Sequence, residues 1–344
     1  MILKVSLIGC GRISKRHAEL LGKNHIIGAK LHSVCDIDEK KAIELANTFD
    51  VPYFTNMHQM IQKTEPDILV VLTESGNHAK HVLDLIKYKR NIIVEKPMAL
   101  NVKDAEKMIE ECDIAGVRLF VIKQNRFNLP IVKLRQAVDE GRFGKFVLGT
   151  TRVRWCRKQD YYNEASWRGT YKMDGGVLSN QASHHIDMLL WMMGDVDYVH
   201  AIGATHLVNI EAEDTAVVNL KFKNGALGII EATTATRPHN IEGSISILGE
   251  NGIVEVGGFA MNEIKHWQFN DNNPEEDIKK YSVNPPNVYG FGHKEYYDHV
   301  VNSILNNGPN LIDGISGKKS VELISAIYES MKSKKVVNIG FNSL

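Results

Sequence analysis

Neither sign of charge dominates this chain. Its 344 residues carry 41 Lys and Arg against 41 Asp and Glu, so no net field draws nucleic acid or an anionic membrane surface. No apolar run approaches the roughly 20 residues needed to span a bilayer. The first residues lead directly into a fold-forming strand, so neither a signal peptide nor membrane insertion is expected, and a cytoplasmic location is. Cysteine is scarce: Cys10, Cys35, Cys112 and Cys156 lie far apart and form no CxxC pair. That argues against a disulfide framework or zinc site and suits reduced, packed thiols. The length exceeds one ordinary domain and suits two with real cores.

What is present begins at residue 3. Leu3-Lys4-Val5-Ser6-Leu7-Ile8 has the pattern of a strand buried on both faces. It runs into Gly9-Cys10-Gly11-Arg12-Ile13-Ser14, a helical stretch from Lys15 to Gly22, and a second strand, Ala29 to Cys35, that stops at Asp36. Glycines let backbone N–H groups approach a pyrophosphate, and a helix N-terminus favours negative charge. Gly9, Gly11, Arg12 and Ile13 are therefore candidate dinucleotide contacts. The third glycine of the usual turn is Ser14, but strand, helix and terminal acid are all in place. The Asp36 carboxylate can accept from the ribose hydroxyls. It would repel a 2′-phosphate by about 4 kcal/mol at close range and intermediate dielectric, and Asp38 and Glu39 strengthen the bias to NAD over NADP.

Regular alternation continues: helix 40–49, strand 52–54, helix 57–63, strand 66–72, helix 77–88, strand 91–94, helix 102–115 and strand 118–122. Such alternation predicts a parallel sheet with helices on both faces, an α/β Rossmann domain over residues 1–124. Ligands gather at the carboxyl ends of such strands. The fourth strand ends in Thr73-Glu74-Ser75-Gly76-Asn77-His78. Its small polar residues, Thr73 among them, are placed to line a cofactor, while Asn77 equally suits a helix cap. His78 and His81 lie one turn apart without an acidic ligand, which favours a cofactor-facing or surface histidine over a metal site. The fifth strand ends in Glu95-Lys96-Pro97. There Lys96 faces the cofactor cleft, where a positive nicotinamide ring and partial burial disfavour an ammonium. The sixth leads to Lys123-Gln124-Asn125-Arg126, another polar cluster at that edge.

Beyond Arg126 the pattern changes. Strands are expected at 146–155, 196–205, 215–222, 227–234, 244–248 and 253–256, with Asn224-Gly225 and Asn251-Gly252 as hairpin turns. Residues 125–344 thus read as an α+β domain with a mostly antiparallel open sheet, one face under helices and the other available to a second subunit. A helix is expected from Gly175 to Trp191. At helical spacing Asn180, His184 and Asp187 share one face, opposite Ala182, Ile186, Leu189 and Met193. A solvated face usually carries Lys and Glu, so an amide, an imidazole and one carboxylate favour hydrogen-bonded chemistry. His185 points away and suits packing. Arg152 and Arg154 share a strand face, and with Tyr161, Trp167 and Arg168 they suit either an anionic ligand or plain surface ion pairs. Tyr289-Gly290-Phe291-Gly292-His293 is an aromatic loop that either covers a ligand or makes a turn before helix 294–305. The helix over residues 320–331 reads as core.

Taken together, GCGRIS, Glu95-Lys96-Pro97, and Gly175-Gly176 leading to Asn180, His184 and Asp187 resemble the Gfo/Idh/MocA oxidoreductases over nearly the whole chain. The resemblance implies that Lys96 and His184 flank the reactive carbon, that Thr73, His78, Glu95, Lys96, Gln124, Trp167 and Arg168 join the glycine turn at NAD, and that the bond before Pro97 is cis. It also implies a homo-oligomer, dimer or tetramer, formed through the C-terminal sheet. Many members have aspartate where this chain has Asn180, which speaks against a lysine–aspartate proton relay. Asn-Gln-x-x-His with Tyr-Gly-x-Gly-His looks more like the UDP-N-acetylglucosamine and UDP-N-acetylglucosaminuronate 3-dehydrogenases. The implied reaction is oxidation of a sugar secondary alcohol at C3, with Lys96 or His184 as base, His184 being favoured. Asn180 would hold the sugar, and Arg154, Tyr161, Tyr289 and Arg168 the rest of the substrate or a cofactor phosphate. The alternatives are a dehydrogenase of free sugars or inositols, and a non-catalytic cofactor-sensing regulator on the same scaffold.

Overall fold

The computed structural model describes residues 1–258, 260–270, 278–283, 285 and 290–340. The chain forms two compact units: Met1–Lys123 with His293–Lys318, and Gln124–Gly292 with Lys319–Leu344. Segment 293–318, read from sequence as part of the C-terminal domain, is thus counted with the first unit.

In the first unit, β1 (Leu3–Ile8), α1 (Ser14–Gly22), β2 (Ala29–Cys35), α2 (Glu39–Phe49), β3 (Tyr53–Phe54), α3 (Met57–Thr64), β4 (Ile68–Val71), α4 (His78–Leu85), β5 (Asn91–Val94), α5 (Val102–Ala115) and β6 (Leu119–Val121) follow in order. The six strands are all parallel, in the order β3-β2-β1-β4-β5-β6. β4 is buried at every residue, which is why it reads as an unbroken apolar run. Caps set the helix bounds. Asn56 accepts from the N–H groups of His58 and Gln59, Asn101 accepts from Asp104, and Gly116 takes the left-handed conformation that ends α5.

The second unit adds α6 (Leu129–Asp139), β7 (Phe146–Arg154), α7 (Gln159–Asn163), α8 (Ser183–Met193), β8 (Val196–Ala204), β9 (Thr215–Phe222), β10 (Leu227–Thr233), β11 (Glu242–Gly249), β12 (Gly252–Gly257) and β13 (Glu263–Phe269). Helices α9 (Gly292–Leu305) and α10 (Gly314–Ser333) and strand β14 (Val337–Asn338) follow. The eight-stranded sheet runs β13-β12-β11-β7-β10-β9-β8-β14, antiparallel except for the β7–β10 pair. One face lies under α8. A Cβ at Gly149 of β7 would stand 2.8–3.0 Å from Met193 and Leu189, so glycine there permits the close approach of helix to sheet. Leu323, Ile324 and Ile327 of α10 join the same core. On the other face Ile202, Val217 and Leu227 are exposed.

α6, α7, the edge strand β13 and the short strand β14 have no counterpart in the sequence reading. The helix expected from Gly175 starts only at Ser183, because Gly175 has φ +77° and residues 175–182 form turns.

Candidate active site

The carboxyl edge of the first sheet gathers the turns after β1, β2, β4 and β5. Gly9 sits at φ +103°, where a Cβ would lie 2.6 Å from the Leu72 carbonyl, so only glycine fits. At Gly11 a Cβ would meet nothing within 4 Å, which leaves open space for a ligand to approach the backbone. Ser14, buried where a third glycine is usual, donates its hydroxyl to the Gly11 carbonyl at 2.6 Å and closes the turn. Asp36 stands past the tip of β2. Its Oδ2 accepts from the Cys10 N–H at 2.7 Å and its Oδ1 from the Asp38 N–H at 2.8 Å. Each oxygen keeps a further lone pair, so the acid can still bind a ribose diol. Burial, helped by Asp36, pushes the Cys10 thiol up to about 12, so it stays neutral in this turn. The glycine cradle and acid together fit NAD.

Two residues expected at the cofactor turn inward instead. His78 is 1% exposed, with Nδ1 at 2.8 Å from the Pro97 carbonyl and Nε2 at 3.0 Å from the Thr73 carbonyl. Glu95 is 6% exposed; its Oε2 accepts the Lys96 N–H at 2.6 Å and its Oε1 lies 3.5 Å from His17 Nε2. A carboxylate removed from water must find such partners inside. Thr73 bonds His81 Nδ1 at 2.9 Å through its hydroxyl. Lys96 is partly exposed between buried Glu95 and buried Pro97, and its bond to Pro97 is cis. The cluster of His17, Glu95, His293 and Tyr297 was missed from sequence. Its one trace there is a histidine on the apolar side of α1, beside Ala18 and Leu21.

In the second unit the turns before α8 are held by Glu213. Its carbonyl accepts from Val177 N–H, and its Oε1 accepts from Leu178 N–H at 3.0 Å and from the Tyr328 hydroxyl at 3.1 Å. That hydroxyl in turn accepts from the Gly176 N–H and the Ser179 hydroxyl. Between Asp174 and Leu190 every residue is buried except Asn180 and His184. The Gln124 amide donates to His184 Nε2 at 3.0 Å, which leaves that nitrogen an acceptor. Asn180 donates to Asp174.

Asp187 departs from the expected polar stripe. It is buried, accepts two 2.7 Å bonds from Arg126 and takes a third from Ser320. His185 packs edge-on against Trp155. Arg154 pairs with Glu231 and Glu242, and Arg152 with Glu242 and Glu255, so both belong to ion pairs of the sheet. Arg168 donates to the Tyr161 hydroxyl at 2.7 Å and lies over the rings of Tyr161 and Trp167. Tyr289 falls outside the described residues.

A model of the oxidoreductase family's NAD-binding Rossmann fold matches residues 3–123, and a model of its C-terminal alpha/beta domain matches 135–339. The chain belongs to the Gfo/Idh/MocA oxidoreductase family. It is an NAD-dependent dehydrogenase. Among solved structures of the family, the chain is 39% identical to the WlbA dehydrogenase from Bordetella pertussis in complex with NADH and UDP-GlcNAcA, covering 98% of each chain with a TM-score of 0.94. It is likewise 39% identical to WlbA from C. violaceum with the same two ligands, covering 99% of this chain and 97% of that one at a TM-score of 0.93. A myo-inositol 2-dehydrogenase from Thermotoga maritima is 28% identical over 98% of both chains.

Proposed function

We propose that this dehydrogenase oxidises C3 of a UDP-N-acetylhexosamine or its uronate, giving a 3-keto nucleotide sugar for polysaccharide synthesis in the cytoplasm. The carrying observation is the 39% identity, over nearly the full length, to two enzymes crystallised with NADH and UDP-GlcNAcA. The Gly9–Gly11 turn and Asp36 would hold NAD, which would supply the acceptor for the hydride of the alcohol carbon. The hydroxyl proton must leave with it, so a base within hydrogen-bond reach is needed. His184 is assigned as that base: its Nε2 is unprotonated, and the sugar hydroxyl would have to replace the Gln124 amide at that lone pair. Lys96 polarises the oxygen and stabilises the developing alkoxide. Asn180 orients the sugar without taking a proton. Arg168, stacked with Tyr161 and Trp167, is assigned to a phosphate of substrate or cofactor. The open face of the eight-stranded sheet, where Ile202, Val217 and Leu227 stand exposed, is assigned to self-association.

The likeness to the inositol enzyme supports a second reading, oxidation of a free polyol. The two separate in one assay: purified protein with NAD and, in turn, UDP-GlcNAcA, UDP-GlcNAc, free N-acetylglucosamine and myo-inositol, followed by NADH absorbance. Turnover of a UDP-sugar with none of myo-inositol is expected. The reverse pattern removes the nucleotide-sugar assignment.

A further inference from the structure

We propose that two buried histidines, His17 and His78, are positioning residues that clamp the Glu95-Lys96-Pro97 turn from opposite ends, and so fix the main chain from which the Lys96 amine reaches out. This rests on the role given to Lys96 above.

At the N-terminal end the link runs through Glu95. One carboxylate oxygen holds the Lys96 N–H at 2.6 Å and the other faces His17 Nε2 at 3.5 Å. His17 is itself fixed, because its Nδ1 meets the Tyr297 hydroxyl at 2.7 Å and its ring packs edge-on against His293 at 5.4 Å. All four side chains are buried, so the carboxylate's field is little screened. At the C-terminal end His78 spans two main-chain carbonyls, those of Pro97 and Thr73. Carbonyl oxygens only accept, and burial lowers the pKa of His78, so the neutral ring donates to one of the two carbonyls while its other nitrogen lies against the second. It thereby ties the turn after β5 to the turn after β4.

A lysine amine sits on a flexible four-carbon stem, and its placement at a reacting oxygen requires an anchored Cα. Anchoring from both ends supplies this without touching the amine. The competing use of the first cluster is a metal. His17, Glu95 and His293 offer ligand atoms all within 4.8 Å of one another, and tetrahedral zinc ligands stand roughly 3.4 Å apart.

The test compares His17→Leu, His17→Gln, His78→Leu, His78→Gln and Tyr297→Phe with Lys96→Ala in the full-length protein. The substrate is whichever of UDP-GlcNAcA and myo-inositol the wild type oxidises. The leucine variants are expected to lose about ten- to a hundredfold in kcat, as for residues that orient a reacting group. KM for NAD should stay within twofold, and the glutamine variants should recover part of the loss. Tyr297→Phe removes one hydroxyl only and keeps the test alive if a histidine variant fails to fold. It should lower kcat with the same unchanged KM. A kcat within twofold of wild type in folded His17 and His78 variants, with Lys96→Ala inactive, overturns the clamp alone. An active Lys96→Ala overturns the catalytic reading beneath it. Stoichiometric zinc in the purified protein, lost in His17→Gln, overturns the positioning role of His17.

Discussion

Asn180 gives its side-chain amide to Asp174, a buried carboxylate that also accepts the Gly169 N–H at 2.9 Å. That contact accounts for an amide rather than a second acid at position 180. Aspartate at 180 would set two carboxylates against each other in a poorly solvated place. Repulsion of unit charges at such range is about 4 kcal/mol at intermediate dielectric, an upper bound. Asn180→Asp is therefore expected to lower stability at pH 8 by about 2–4 kcal/mol, with most of the loss recovered at pH 5 as one carboxyl takes a proton. Urea unfolding at the two pH values checks it. Equal stability to wild type at pH 8 would break the link drawn between the two side chains.

Glu213 makes the second pH-dependent term. Burial pushes its carboxyl up from the ordinary 4.5 to about 7, against the opposing bonds from Leu178 and Tyr328. The folded protein therefore holds this proton more tightly than the unfolded chain. Its contribution is fully present below about pH 4.5, falls as the pH rises towards 7, and is gone above that. The whole span amounts to about 3 kcal/mol. Glu213→Gln keeps an acceptor for Leu178 and cannot ionise, so its stability should stay flat across this window where wild type declines. Parallel slopes for the two proteins from pH 4.5 to 7 would contradict the assignment.

How much of this was legible in the sequence follows from how far apart the partners lie. The parallel sheet was readable because strands buried on both faces are apolar runs, and because Gly9, Gly11 and Asp36 act within one β-α-β unit. Where α8 begins was not, since Gly175–Ala182 have helical spacing but are pinned by Glu213, which lies 35 residues beyond Leu178. Asp187 reads as ligand-facing until its partner Arg126, 61 residues earlier, is placed beside it. Arg154 and its glutamates, and the His17, Glu95 and His293 cluster, are likewise long-range meetings that no local pattern encodes. β13 escaped notice for another reason: a register shift in its pairing with β12 skips Lys265, so exposed Lys265 and His266 stand side by side between Ile264 and Trp267, which pack on the core, and the alternation is broken.

Cofactor choice turns on Asp36, which does two things at once. Its charge repels a 2′-phosphate, while its oxygens hold the Cys10 and Asp38 N–H groups that shape the turn. Asp36→Asn removes the charge and keeps an acceptor. The ratio of kcat/KM for NADP to that for NAD should rise at least about tenfold, well inside the roughly 4 kcal/mol that close unit charges supply. Asp36→Ala should instead weaken both cofactors by loosening the turn. If Asp36→Asn leaves the ratio unchanged, discrimination lies elsewhere.

The open sheet face carries the last prediction. Ile202 on β8 and Val217 on β9 stand directly opposite each other in antiparallel register, 70% and 49% exposed, and Leu227 on neighbouring β10 is 54% exposed. Apolar side chains grouped on one flat face favour burial against a like surface. Each full burial contributes about 1.5–3 kcal/mol. Arg152 and Arg154 pair with Glu231, Glu242 and Glu255, so two of these three carboxylate charges are balanced within the sheet and repulsion of a second copy is reduced. The pair Ile202→Lys and Val217→Lys places two like charges on adjacent strands of the proposed contact. Light scattering should show an oligomer for wild type and a smaller species for the double variant. NAD titration should give the same affinity for both, because neither residue belongs to the glycine turn or to Asp36. A wild type that scatters as a monomer at tens of micromolar would leave this face without its proposed partner.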